Sequence, residues 1–131
     1  MASKTPVVLE RECDRYRPIY YAAASGDFNP IHLDREVAQA VGLPGNILHG
    51  MCTMAWAAEA AIDALGGDPG DLKSLQVRFS RPVKIDDRIT FTAELGANPA
   101  APGRIQINAV NQDGQEVLKN AAANAPASEA R

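Results

Sequence analysis

The chain has 131 residues, 46% hydrophobic and 22% charged, which predicts one soluble globular domain rather than a fibrous or disordered protein. Thirteen basic against sixteen acidic residues give a formal net charge of −3, so there is no general electrostatic case for nucleic acid or an anionic membrane as partner. The two cysteines, Cys13 and Cys52, belong to no spaced metal-ligand set; "MASKTPVVLERE" has no apolar leader and no apolar run is long enough to span a bilayer, so a cytoplasmic protein is expected.

Taken in chain order, Pro6 to Glu12 reads as a first strand. A helix is expected from about Pro18 through Ala22 to Ala24, stopping at Gly26. "GDFNP" has the residues of an irregular loop. "DREVAQAVGLPG" predicts a short helix with Asp34 as N-cap and Gly42 as terminator. In "HGMCTMAWAAEAAIDALGG" the apolar residues Met51, Met54, Ala55, Ala58, Ile62 and Leu65 fall on one helical face. Most other positions are alanine, so this helix is expected to be covered nearly all round, with Trp56 and the methionines in the core.

After "DPGD" the period changes to two. "SLQVRFS", "RITFTAEL" and "RIQINAV" alternate apolar with polar residues, as half-buried antiparallel strands do. Asp113-Gly114 signals a hairpin turn, which makes "QEVLKNAAA" the returning strand. The expectation is a single α+β domain over 1–131 in which four strands form a meander and the sheet wraps one long buried helix. Residues 124–131 read as a frayed tail.

The chemistry concentrates in "SGDFNPIH". Asp27, Asn29 and His32 share one short segment, which Pro30 stiffens through its own fixed φ and its restriction of Asn29. A carboxylate and an imidazole held at a fixed separation can share one water, and imidazole exchanges protons near neutrality. Downstream, His49-Gly50-Met51 opens the long helix. Its first N–H groups lack internal partners, and Gly50 lets a ligand oxygen approach the backbone. That outlines an oxyanion site beside an acid–base pair. Plainer readings stand alongside: Asp27 closing an Asx-turn, His32 as a structural hydrogen-bonder, His49 as the helix cap, Cys52 as an inert packing residue. Arg78, Arg81 and Lys84 read as an ordinary solvated strand face, with a role towards ligand phosphates as the lesser alternative.

"YAAASGDFNPIHLD", "AQAVGLPGNILHGM" and "VRFSRPVKIDD" together resemble the MaoC-like hydratase/dehydratase family, from about Tyr20 to about Leu95, with the nearest look to the catalytic subunit of mycobacterial-type (3R)-hydroxyacyl-ACP dehydratases. The resemblance implies a hotdog fold. It implies a hydro-lyase that hydrates trans-2-enoyl thioesters reversibly to (R)-3-hydroxyacyl thioesters. Asp27 and His32 would be the catalytic pair, and Asn29 would orient the loop and the water or substrate. Gly50 would be the oxyanion donor, with Met51 beside it in the substrate site. No metal or cofactor is implied beyond the CoA or acyl-carrier-protein thioester. The implied partner is a second hotdog subunit, either identical or a chain lacking the motif. An acyl-CoA thioesterase on the same fold is the competing activity, and Trp56 or Leu65 are candidates to cap an acyl tunnel. The chain departs from the family where Asp86-Asp87 replaces a common Gly-Asp, which puts a turn geometry in question.

Overall fold

The computed structural model describes residues 5–126. The strands are β1 (Val7–Glu12), β2 (Ser74–Phe79), β3 (Arg88–Leu95), β4 (Arg104–Val110) and β5 (Glu116–Asn124). The helices are α1 (Arg17–Ser25), α2 (Arg35–Ala40) and α3 (Gly50–Ala64). All five strands form one antiparallel sheet in the order β1-β3-β4-β5-β2. α3 packs chiefly on β3 and also touches β1, β4 and β2. This is the expected α+β hotdog arrangement.

The meander is shorter than the sequence suggested. β3, β4 and β5 run on as hairpins, but β2 pairs with β5 at the far edge and not with β3. The connection from β2 to β3 must therefore cross the sheet. It is pinned on the way: the Ser80 N–H donates to Val117 O, and the Leu48 N–H donates to Val83 O. Ile47 and Lys84 form an isolated bridge. Alternation within each strand reports which face is buried, not which strand is the neighbour, so the crossover was not legible.

The face of α3 that meets the sheet is also not the one marked by its larger residues. Cys52, Trp56, Ala57, Ala60, Ala61 and Ala64 are buried, while Met51 is 60% exposed and Ala55 and Glu59 face outward. Met54, Ala58 and Ile62 are only half-buried. Ala57, Ala60, Ala61 and Ala64 let the helix approach the β3 residues Ile89, Phe91 and Ala93, all fully buried, with Trp56 the one large residue on this face; Met51, Met54 and Ile62 lie off it. Trp56 is core as expected, packed edge-on to Phe91 at a centroid distance of 6.3 Å. Neither Trp56 nor Leu65 is among the residues lining the cavity at Gly50 or the groove at Lys84. Phe79, expected on the inner face of β2, is 51% exposed.

Several local expectations are met. Gly26 ends α1 with φ 79°, and the Asp34 carboxylate caps α2 by accepting from Glu36 N–H and Val37 N–H. Gly114 has φ 75° in the Asp113-Gly114 turn. Asn124, expected to begin a frayed tail, is instead the last residue of β5, paired with Ser74 and Arg104. Residues 127–131 lie outside the described residues.

Asp86 adopts φ 74°, the left-handed region that a side chain disfavours, and this explains why glycine suits the position. Its neighbour Asp87 is buried and holds the turn together. The Asp87 carboxylate accepts from the Lys84 N–H at 2.8 Å and from the Gln112 amide at 2.9 Å. Asp86→Gly should raise stability by about 0.5–1 kcal/mol, the released strain exceeding the extra freedom of the unfolded chain. Urea unfolding of the two proteins checks this.

Cys13 and Cys52 are both free and buried. Burial first, and then the charges of Cys52, Asp14 and Asp87, push the Cys13 thiol from its ordinary 9.0 up to about 12, against the opposing pull of Arg17. Burial also raises Cys52. Both should resist iodoacetamide in the folded protein and react once it is unfolded, measured by mass. Because the unfolded chain releases this proton near 9.0 and the folded one near about 12, the contribution of Cys13 to stability is complete below pH 9 and is lost as pH rises towards 12.

Candidate active site

The loop after α1 is built by successive side-chain caps. The Asn29 N–H donates to Asp27 Oδ1 at 3.2 Å, and the Ile31 N–H donates to Asn29 Oδ1 at 3.2 Å. Asn29 thereby caps a single 3₁₀ turn, Pro30–His32, with Pro30 in its first position. The Leu33 and Asp34 N–H groups close back on Pro30 O. The effect is to turn His32 inward, to 8% exposure, while the Asp27 side chain remains 53% exposed. Asp27 therefore does close an Asx-turn, but with one oxygen only.

The other oxygen, Asp27 Oδ2, lies 3.8 Å from His32 Nε2. That gap is wide for a direct bond and suits one water touching both. On the far side of the ring, His32 Nδ1 is 2.8 Å from Ile47 O. A carbonyl oxygen only accepts, so Nδ1 carries a proton, and in the neutral imidazole it is Nε2 that then presents a lone pair towards Asp27. The imidazole is thus set as a proton acceptor by the backbone just before α3.

His49 occupies the N-cap position of α3, as expected, but its side chain makes no capping bond. Instead His49 Nε2 donates to Asp27 O at 2.9 Å, and its ring stacks on His32 at a centroid distance of 3.7 Å. The loop that carries Asp27 and His32 therefore sits directly against the amino end of α3. In the first turn the Cys52 and Thr53 N–H groups bond to His49 O, while Gly50 and Met51 N–H have no acceptor among the described residues. A Cβ on Gly50 would come within 3.1 Å of the Phe79 ring, so a side chain here would require that half-exposed ring to give way by a few tenths of an ångström. A cavity of about 280 Å³ opens here, lined by Gly50, Thr53, Phe79, Arg81, Val83 and Val117 among others. Arg81 lines this cavity, Lys84 lies in a separate groove with Arg35, and Arg78 is exposed on β2.

Asp27, His32, Asn29 and Gly50 are thus brought together. Met51 follows Gly50 in the first turn of α3, with its side chain 60% exposed. The contribution of His49 was missed: as the residue before a helix it reads as a cap, and nothing in the spacing announces a bond back to residue 27. Its arrival places three metal-ligand types within 4.8 Å of one another, which the sequence spacing did not suggest. Their geometry does not suit one ion. His32 Nδ1 and His49 Nε2 already donate to carbonyls, and the remaining lone pairs lie in ring planes 21° apart and stacked at 3.7 Å, which cannot meet at the bond length of about 2.0–2.1 Å a zinc ion needs.

A family model described as the MaoC like domain matches residues 5–116. The chain belongs to the MaoC-like family. Across 106 residues, 80% of this chain, it is 33% identical to a probable enoyl-CoA hydratase 2 of Dictyostelium discoideum, covering 35% of that protein. A MaoC-like dehydratase of Phytophthora capsici superposes with a TM-score of 0.81 at 28% identity, over all of this chain and 44% of the other. The unliganded R-hydratase PhaJ1 of Pseudomonas aeruginosa gives a TM-score of 0.78 at 29% identity, over 96% of this chain and 83% of that one. The chain spans about a third of the length of the Dictyostelium relative, so this MaoC-like domain corresponds to a part of that larger protein.

Proposed function

We propose that this MaoC-like chain is a hydro-lyase that adds water across the double bond of a trans-2-enoyl thioester to give an (R)-3-hydroxyacyl thioester, and runs in reverse as a dehydratase. The observation that carries the reading is the facing pair, Asp27 Oδ2 and His32 Nε2, at 3.8 Å beside the start of α3, with His32 Nδ1 held by Ile47 O. The names of the relatives support the substrate class.

In the proposed reaction the thioester carbonyl oxygen sits on the Gly50 N–H. One water lies between Asp27 and His32, over C3. As its oxygen bonds to C3, His32 Nε2 takes one of its protons, and the C2–C3 π electrons move onto the thioester oxygen as an enolate. The Gly50 N–H and the helix dipole stabilise that charge. The proton passes from His32 to Asp27 and on to C2 as the enolate collapses. Asn29 Oδ1 is spent on the loop, so Asn29 positions Asp27 and His32 rather than taking a proton. The thioester, on CoA or on an acyl carrier protein, supplies everything else.

β2 is an edge strand with one side unpaired, and the cavity at Gly50 opens at its Phe79 end. A second hotdog subunit pairing along this edge would close the cavity. That subunit is either a copy of this chain or a partner without the Asp–His motif. Mass measurement of the purified chain, with activity, separates the two.

The function is tested by following the conjugated absorbance of crotonyl-CoA and longer enoyl-CoA esters. Loss of absorbance with formation of the (R)-3-hydroxy product is expected. Release of free thiol from saturated acyl-CoA, without hydration, would replace this reading with a thioesterase.

A further inference from the structure

His49 is buried to 2% exposure, yet its Nδ1 has no hydrogen-bond partner. Leaving a polar atom so enclosed costs stability, and an apolar residue would pack there without that cost. The ring is nevertheless fixed from several directions. Tyr21 of α1 lies against one side at 4.8 Å, His32 stacks at 3.7 Å, and Nε2–H is spent on Asp27 O at 2.9 Å. The backbone of His49 leads directly into Gly50, the first residue of α3.

One side chain thus touches each part of the site. It holds the backbone of the residue that carries the carboxylate, it forms the stacking surface for the imidazole, and it is covalently joined to the oxyanion donor. Both Asp27 and Asn29 otherwise rely on exposed loop hydrogen bonds. We propose that His49 is a positioning residue, whose Nε2–H bond to Asp27 O and stack on His32 set the carboxylate, the imidazole and the Gly50 N–H in register. This rests on the hydratase reading above and deepens it. His49 touches no reacting atom; it acts through Asp27 and His32.

The two histidines would then carry opposite tautomers, since His32 donates from Nδ1 to Ile47 O and His49 from Nε2 to Asp27 O. The donor can be isolated by substitution, because Gln and Leu are of similar size and only Gln brings an N–H to the place of Nε2. Loss of register of an ångström or less at the reacting atoms is worth about 10–100-fold in rate.

The test compares His49→Leu and His49→Gln with the unmodified protein, in enoyl-CoA hydration and in ¹⁵N imidazole spectra. His49→Leu should lower kcat about 10–100-fold while KM stays within about threefold, and His49→Gln should recover most of the loss. The unmodified protein should show a protonated Nδ1 on His32 and a protonated Nε2 on His49. Equal losses in the two variants, or His49→Leu at unmodified kcat, would overturn the proposal, as would the reverse tautomer on His49. If the unmodified chain hydrates no enoyl thioester, the hydratase reading falls by itself, and the spectra still decide whether His49 holds Asp27. If His49→Leu does not fold, His49→Gln and the tautomers carry the decision.

Discussion

Asp27→Asn and His32→Ala should each lower the hydration rate by about 10²–10⁴-fold, equivalent to about 3–5 kcal/mol of barrier. The two losses should not add, because both groups act on the same water. Each side chain also has a structural bond, Asp27 Oδ1 to the Asn29 N–H and His32 Nδ1–H to Ile47 O. Asn at position 27 keeps an acceptor for the first, so that variant is the cleaner probe of chemistry. Steady-state kinetics with crotonyl-CoA, beside far-UV circular dichroism to confirm folding, measures both. Undiminished turnover in either variant would remove that residue from the mechanism.

The second large effect is on stability. Ala60 is fully buried against the sheet, whereas Ala55 lies on the outward stripe of α3. Ala60→Leu forces three extra carbons into a close helix–sheet contact and should cost about 1–3 kcal/mol. Ala55→Leu should stay within about 0.5 kcal/mol, as surface changes do. If the face marked by the larger residues were the core face, the order of the two effects would be reversed. Chemical denaturation midpoints of the two variants distinguish the cases.

That pair of alanines also shows where the sequence stops being informative. β3 and β4 were legible because alternation of residues such as Ile89, Phe91 and Ala93 with Thr90 and Thr92 identifies a one-sided strand, and β1 lies within the strand expected over Pro6 to Glu12. α1 and α2 were legible from Gly26 and Asp34, whose side-chain or backbone chemistry is local. α3 was legible as a helix but not in its orientation. A helix with alanine on most sides has little contrast, and close packing on the sheet selects small residues over large ones. The position of β2 depends on a crossover whose contacts, Leu48 to Val83 and Ser80 to Val117, join residues far apart in the chain.

The site divides in the same way. Asp27, Asn29 and His32 sit on one rigid turn, so their proximity follows from eight consecutive residues, Ser25 to His32. Gly50 was legible as a helix start with bare N–H groups. His49 was not, because its role depends on a bond to the carbonyl of Asp27 and on a ring brought alongside from another element. Phe79 over Gly50 is likewise a contact between the end of β2 and the start of α3.

The most direct measurement is a crystal structure with a bound 3-hydroxyacyl thioester. Its 3-hydroxyl oxygen should occupy the place of the shared water, within about 3 Å of both Asp27 Oδ2 and His32 Nε2, while the thioester oxygen accepts from the Gly50 N–H. A hydroxyl bound away from either group, or a thioester carbon in place of C3 between them, would contradict a hydratase built on this pair.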